Sequence, residues 1–170
     1  MIESTDRSEW DPPCIVPLRG LADAEACARM MSTTEPWITL GRDFDQALAV
    51  LQLPAQEAYV ALDADGAVAG FILLIMQGAF VGYIRSIAVR VDCRSRGVGR
   101  ALLDFAQARI YRETPNVFLC VSSFNPRARA IYERFGFSVV GELKDYVLYG
   151  HSEWLMRKSV APLAGYRSSP

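Results

Sequence analysis

Apolar positions recur along the chain in two rhythms. Val98, Leu102, Phe105, Ala106 and Ile110 return at the interval of an amphipathic helix. The runs 81–89 and 117–121 are short, apolar and β-branched, the second of the kind buried on both faces of a sheet. Strand, helix and strand in that order predict a βαβ unit with parallel strands and a right-handed crossover. Upstream, 15–18 reads as a first strand, 22–31 and 43–51 as helices, and 59–62 with 67–77 as a hairpin around the turn Asp63-Ala64-Asp65-Gly66. Downstream, Asn125-Pro126 opens another helix. The segments 137–142 and 152–158 predict a closing antiparallel pair joined by the loop 143–151. Residues 160–170 carry Pro, Gly and Ser without periodicity, which predicts a loose tail after a single domain spanning 1–159.

Composition narrows the class. At 170 residues and 51% hydrophobic content the chain can bury one core. A net charge of -1 argues against a general nucleic-acid partner, because the basic residues that matter are local. The longest apolar run, 68–76, is too short to span a bilayer, so no membrane partner is expected. The polar stretch 1–13 carries no signal-peptide pattern. Cys14, Cys27, Cys93 and Cys120 are scattered without metal-ligand spacing, which predicts no metal and a reduced, cytoplasmic protein.

The chemistry concentrates where strand 81–89 gives way to helix 98–110, in Cys93-Arg94-Ser95-Arg96-Gly97-Val98-Gly99-Arg100-Ala101. Two glycines let a ligand approach the backbone, and the first helical N–H groups have no partner within the helix. The helix dipole and Arg94, Arg96 and Arg100 add positive charge, a combination suited to a pyrophosphate. A Walker-type loop needs Gly-Lys-Ser/Thr where this chain has Gly99-Arg100-Ala101, and a dinucleotide fingerprint needs a small residue where Leu102 stands. The bland alternative is an ordinary strand-to-helix turn with solvated arginines.

Arg94-x-x-Gly97-x-Gly99, combined with Asn125-x-x-Ala128-x-x-Ile131-Tyr132-x-x-x-Gly136-Phe137, resembles the paired core motifs of the GCN5-related N-acetyltransferase (GNAT) family. The resemblance is close over 80–158 and rests on the order of elements before that. It implies an α/β fold of the mixed (α+β) kind: a mostly antiparallel central sheet, flanked by helices, whose parallel fourth and fifth strands splay apart to admit acetyl-CoA. It also implies that Ile87, Ala88 and Val89 meet the acetyl and pantetheine portion, Ile87 and Val89 through main-chain groups. Arg94 with Ser95, Arg96, Gly97, Val98, Gly99 and Arg100 would wrap the pyrophosphate. Asn125 would bond the pantetheine arm, although a helix N-cap explains an Asn there equally well.

The resemblance makes Tyr132 the catalytic residue. A thiol pKa near ~8.5 and a phenol pKa near ~10 are close enough for a positioned tyrosine to donate a proton or a hydrogen bond to the departing sulfur. The general base is where the chain departs from its relatives. Those that acetylate histone lysines carry a Glu on the fourth strand, where 81–86 holds no carboxylate. Ribosomal-protein N-terminal alanine acetyltransferases, similar over 87–99, carry a Glu at the position of Cys120. Glu142, Asp145, His151 and Glu153 remain as candidates, directly or through water.

Deprotonating a lysine-like amine at neutral pH costs about 4 to 5 kcal/mol, an α-amino group only about 1. A site without an obvious base therefore favours a peptide N-terminus, an amino acid or another amine of low pKa. Trp37, Phe44 and the loop 145–149 fall where the family builds its acceptor site, or else serve the core or a homodimer contact. An acyl group other than acetyl stays open. The alternatives are a catalytically silent acyl-CoA-binding or regulatory domain on the same fold, and a nucleotide-binding module.

Overall fold

A computed structural model of the chain describes residues 13–167. The stretch 1–13 read for a signal peptide therefore lies, apart from Pro13, outside the described residues. The elements follow in the order β1 (Cys14–Pro17), α1 (Leu21–Ser32), α2 (Phe44–Leu51), β2 (Glu57–Leu62), β3 (Val68–Ile75), β4 (Tyr83–Val89), α3 (Val98–Ile110), β5 (Asn116–Ser122), α4 (Pro126–Arg134), β6 (Ser138–Lys144) and β7 (Ser152–Ser159). The strands form one sheet in the order β1-β2-β3-β4-β5-β7-β6. Only β4 and β5 run parallel, and every other neighbouring pair is antiparallel.

Local chemistry fixes the element ends. Asp43 closes a capping box with Gln46 and starts α2. Asn125 accepts from the Ala128 N–H at 3.2 Å and Pro126 occupies the first turn, which starts α4. Asp63 accepts from the N–H groups of Asp65 and Ala67, tightening the β2–β3 hairpin. β4 begins two residues later than the pattern 81–89 predicts. Gly82 takes φ 86, and its carbonyl accepts from Phe118 at 2.9 Å as the chain enters β4. β6 starts one residue late, leaving Phe137 buried beneath it, and extends to Lys144.

The sheet separates two cores. On one face α3 and α4 cover Ile72, Leu74, Ile84, Val117, Leu119, Val121 and Met156. On the other, α1 and α2 cover Val60, Phe71, Leu73 and Ala88 together with Trp37. Gly70 lets α3 lie close to the sheet, since a Cβ there would stand 2.8 Å from the Ala88 carbonyl and 3.1 Å from Leu102. After β7, the Val160 N–H donates to Pro115 and the Tyr166 hydroxyl to the Tyr111 carbonyl, so the segment expected as a loose tail makes two backbone anchors before residue 168.

Candidate active site

β4 and β5 pair only at Tyr83 with Phe118 and Ile84 with Leu119. The register of β4 against β3 shifts at the same point, because Leu73 faces Ser86 and Leu74 faces Ile84, leaving Arg85 as an extra residue. Such a bulge bends its strand. Beyond it β4 stays with β3 up to Val89, β5 stays with β7, and a cleft of about 930 Å³ opens between them. The Arg90 N–H donates to Ala69 on β3. Alternation along an antiparallel pair then turns the main-chain groups of Ala88 toward β3 and those of Ile87 and Val89 toward the cleft. All three residues line the cleft, Ala88 only as wall.

At one end of the cleft the backbone coils before α3, with Ser95 at φ 63 and Gly97 at φ 86. Gly97 is the N-cap and no side chain caps the helix. The ladder begins with Ala101 donating to Gly97, so the N–H groups of Val98, Gly99 and Arg100 precede it and remain available. Arg94, Ser95, Gly97, Gly99 and Arg100 line the cleft, and α4 adds Arg127 and Arg134, which belong to no motif, to the same wall. Arg94 Nε donates to the Val89 carbonyl at 3.2 Å. Two of the expected residues differ. Val98 is buried in the core and offers only its main chain, and Arg96 lines a separate depression with Asp63, Asp65 and Asp92.

Tyr132 rises from α4 into the cleft on the α3/α4 side, its ring edge-on to Phe137 at 6.0 Å. Its hydroxyl makes no hydrogen bond among the described residues, and burial pushes its pKa up to about 12. Asn125 lines the cleft as well, while its side-chain oxygen serves the α4 cap.

The opposite face carries a different set. Val117, Leu119 and Val121 point toward α3, so Phe118, Cys120 and Ser122 point the other way. Glu153 on β7 stands directly across from Ser122 and shares that face. It is 7% exposed, accepts a 2.5 Å hydrogen bond from Ser122 Oγ, and lines the cleft. Burial raises its pKa, against the lowering effect of that hydrogen bond. Tyr83 and Cys120 interact beside it, both with raised pKa values that burial dominates.

Of the four candidate bases only Glu153 reaches the cleft. Glu142 accepts from Ser152 at 2.7 Å, Asp145 accepts from the Gly150 N–H at 2.6 Å, and His151 packs edge-on against Phe124; none of them lines the cleft. The expected acceptor aromatics divide. Trp37, Tyr146 and Val147 line the cleft; Phe44 lies outside it under Arg29, and Tyr149 is 90% exposed outside it. Arg42 and Arg85 also line this half. Among the described residues no group of three His, Cys, Asp or Glu side chains could hold a metal, and no helix is long and apolar enough to cross a membrane.

Known proteins share this architecture. A stretch of 85 residues is 38% identical to mycothiol acetyltransferase of Beutenbergia cavernae, spanning 49% of this chain and 29% of that one, so the chain matches less than a third of that relative's length. Nourseothricin acetyltransferase superposes with a TM-score of 0.56 and 27% identity over 64% of this chain and 67% of that one. The ribosomal-protein-S18-alanine N-acetyltransferase of Escherichia coli superposes with a TM-score of 0.69 over 90% and 98% of the two chains, at 21% identity, a likeness of fold. Residues 24–137 match the Acetyltransferase (GNAT) family, and with the splayed parallel strands, the uncapped glycine turn and the mixed seven-stranded sheet they make this chain a member of that family.

Proposed function

We propose that the chain transfers acetyl directly from acetyl-CoA to a primary amine, with the pantetheine arm in the cleft between β4 and β5. Main-chain groups of Ile87 and Val89 would bond the arm, with Ala88 and the Asn125 side chain as flanking walls. The N–H groups of Val98, Gly99 and Arg100, the coil Ser95–Gly97 and the side chains of Arg94 and Arg100 would receive the pyrophosphate. Arg94, held by its Nε on the Val89 carbonyl, would keep its remaining guanidinium N–H groups for the phosphates.

The observation that carries the mechanism is Glu153, a buried carboxylate on the acceptor face of the cleft. Its raised pKa moves it toward the range where a base works best near neutrality. Glu153 would take the proton that the amine sheds as its nitrogen bonds the acetyl carbon. Tyr132, on the other face, would serve the sulfur as the carbon–sulfur bond breaks. Burial raises the phenol's pKa and so favours its neutral form, which suits Tyr132 as a hydrogen-bond donor to the departing thiolate. A base in the cleft argues against the silent acyl-CoA-binding reading.

With Glu153 available, the acceptor is a small amine or a peptide N-terminus reaching the wall of Trp37, Tyr146 and Val147. Release of free CoA, measured with acetyl-CoA against parallel sets of peptides and small amines, tests this. Acceptor-dependent release that Glu153→Gln suppresses supports the assignment; release unaffected by that change removes Glu153 from the chemistry.

A further inference from the structure

Among the described residues the half-buried Arg90, Arg109 and Arg129 pair with carboxylates and Arg157 Nε donates to the Asn116 amide oxygen at 2.8 Å, whereas the Arg42 side chain has no partner. Arg90 meets Asp63 at 2.8 Å and Asp92 at 2.7 Å. Arg109 meets Glu57 at 2.5 Å and Glu113 at 2.7 Å. Arg42 meets no carboxylate among the described residues, and its Nε is sealed from solvent without a hydrogen-bond partner. A half-buried guanidinium without a counter-ion is costly, so its retention calls for an anionic partner. The backbone that carries it is fixed. The Arg42 N–H donates to the carbonyl of buried Trp37 at 2.9 Å, and the next residue caps α2. Glu35, on the same connection and also lining the cleft, accepts from the Thr39 N–H at 3.2 Å and forms no pair with Arg42.

Arg42 lines the cleft and belongs with the α1/α2 core around Trp37, on the sheet face that also carries Glu153. The arginines of the glycine turn and α4 stand on the opposite side, with Tyr132. We propose that Arg42 is the docking group for a carboxylate on the acceptor, so that the substrates are amines of the amino-acid type: amine toward Glu153, carboxylate against the terminal Nη edge of Arg42. A planar monoanion matches one edge of a guanidinium through two parallel hydrogen bonds. Arg85, at the bulge and without an ion pair among the described residues, adds positive potential on the route in. This inference rests on the reading of the cleft as the acyl-transfer site.

The test measures CoA release with acetyl-CoA and the twenty amino acids, each beside its C-terminal amide, with phosphorylated small amines as a third arm. The expected result is a kcat/KM higher for an amino acid than for its amide. Arg42→Met should lower that ratio by roughly ten- to a hundredfold, and Arg42→Lys, which keeps charge but loses the fork, should lie between. Acetyl-CoA affinity, measured by calorimetry on each variant, reports that the fold and cofactor site persist. Equal use of acids and amides, a ratio insensitive to Arg42→Met, preference for phosphorylated amines, or turnover of no member of the panel while acetyl-CoA binds would each overturn the carboxylate assignment. Failure of the wild type to bind acetyl-CoA would instead overturn the underlying reading of the cleft.

Discussion

Ser122 Oγ donates to Glu153 Oε1 at 2.5 Å across the β5–β7 ladder, and this contact fixes a carboxylate beside Cys120. Relatives that carry a glutamate at the Cys120 position hold it on β5 itself. Here the neighbouring strand delivers one to the same face.

Glu153→Gln should lower kcat by roughly a hundredfold, the scale of lost general-base catalysis, with acetyl-CoA affinity retained. The wild-type rate should fall as pH drops through the raised pKa of Glu153, at a midpoint above the ordinary glutamate range, and the variant should lack that limb. A pH profile of kcat/KM for both proteins decides it.

The same substitution should not destabilise the fold at neutral pH. A carboxyl whose folded pKa exceeds its unfolded one contributes stability only while protonated, at pH below the unfolded value, and that contribution is lost as pH rises through the folded value. At pH 7 the ionised group is therefore a liability, and glutamine can still accept from Ser122. Thermal melts should show an equal or higher Tm for Glu153→Gln at pH 7 and a smaller advantage near pH 4.

A carboxylate restored on β5 should substitute for the one on β7. Cys120→Glu placed in the Glu153→Gln background is expected to recover part of the lost kcat, measured by CoA release. Cys120→Glu alone sets two carboxylates together and should move the acidic limb to higher pH. No recovery in the double variant would mean that the Ser122 contact, rather than the position of the charge, makes Glu153 effective.

Tyr132→Phe removes one hydroxyl from a cleft wall and should reduce kcat by about tenfold or more, while the KM for acetyl-CoA changes little. A matching rise in KM would assign the hydroxyl to cofactor binding.

Gly70→Ala should destabilise the protein by about 1–3 kcal/mol, since the new methyl meets the Ala88 carbonyl on β4. In a chain of this size that corresponds to a Tm lower by about 2–4 °C per kcal/mol. Because β4 forms one wall of the cleft, acetyl-CoA affinity should weaken with it.

The βαβ unit, the glycine turn and the order of strands were legible because their signals are local: periodicity in 98–110, a cap at Asn125, glycines at fixed offsets. Glu153 stood among four candidates, and only the pairing of Ser122 with Glu153, 31 residues apart, selects it. Arg42 carried no signal at all, because its significance lies in the carboxylate it does not meet. The bulge at Arg85 was equally silent: no Gly or Pro marks it, and it arises from the register of β4 on β3. Of the two roles left open for Phe44 the structure shows core packing, since its helical face lies with α1 and α2 rather than facing the cleft.

A sheet whose pairing breaks after Ile84 keeps an internal seam of peptide groups without a strand partner at Ile87 and Val89, where only the Val89 carbonyl is met, by Arg94. A thioester ligand carrying its own amide bonds can close that seam as a guest strand would. Folding and acyl donor supply then become thermodynamically linked: at a donor concentration a hundred times its Kd the folded state would gain about 2.7 kcal/mol. The protein would be sturdiest when acetyl-CoA is plentiful, and would soften when it runs short.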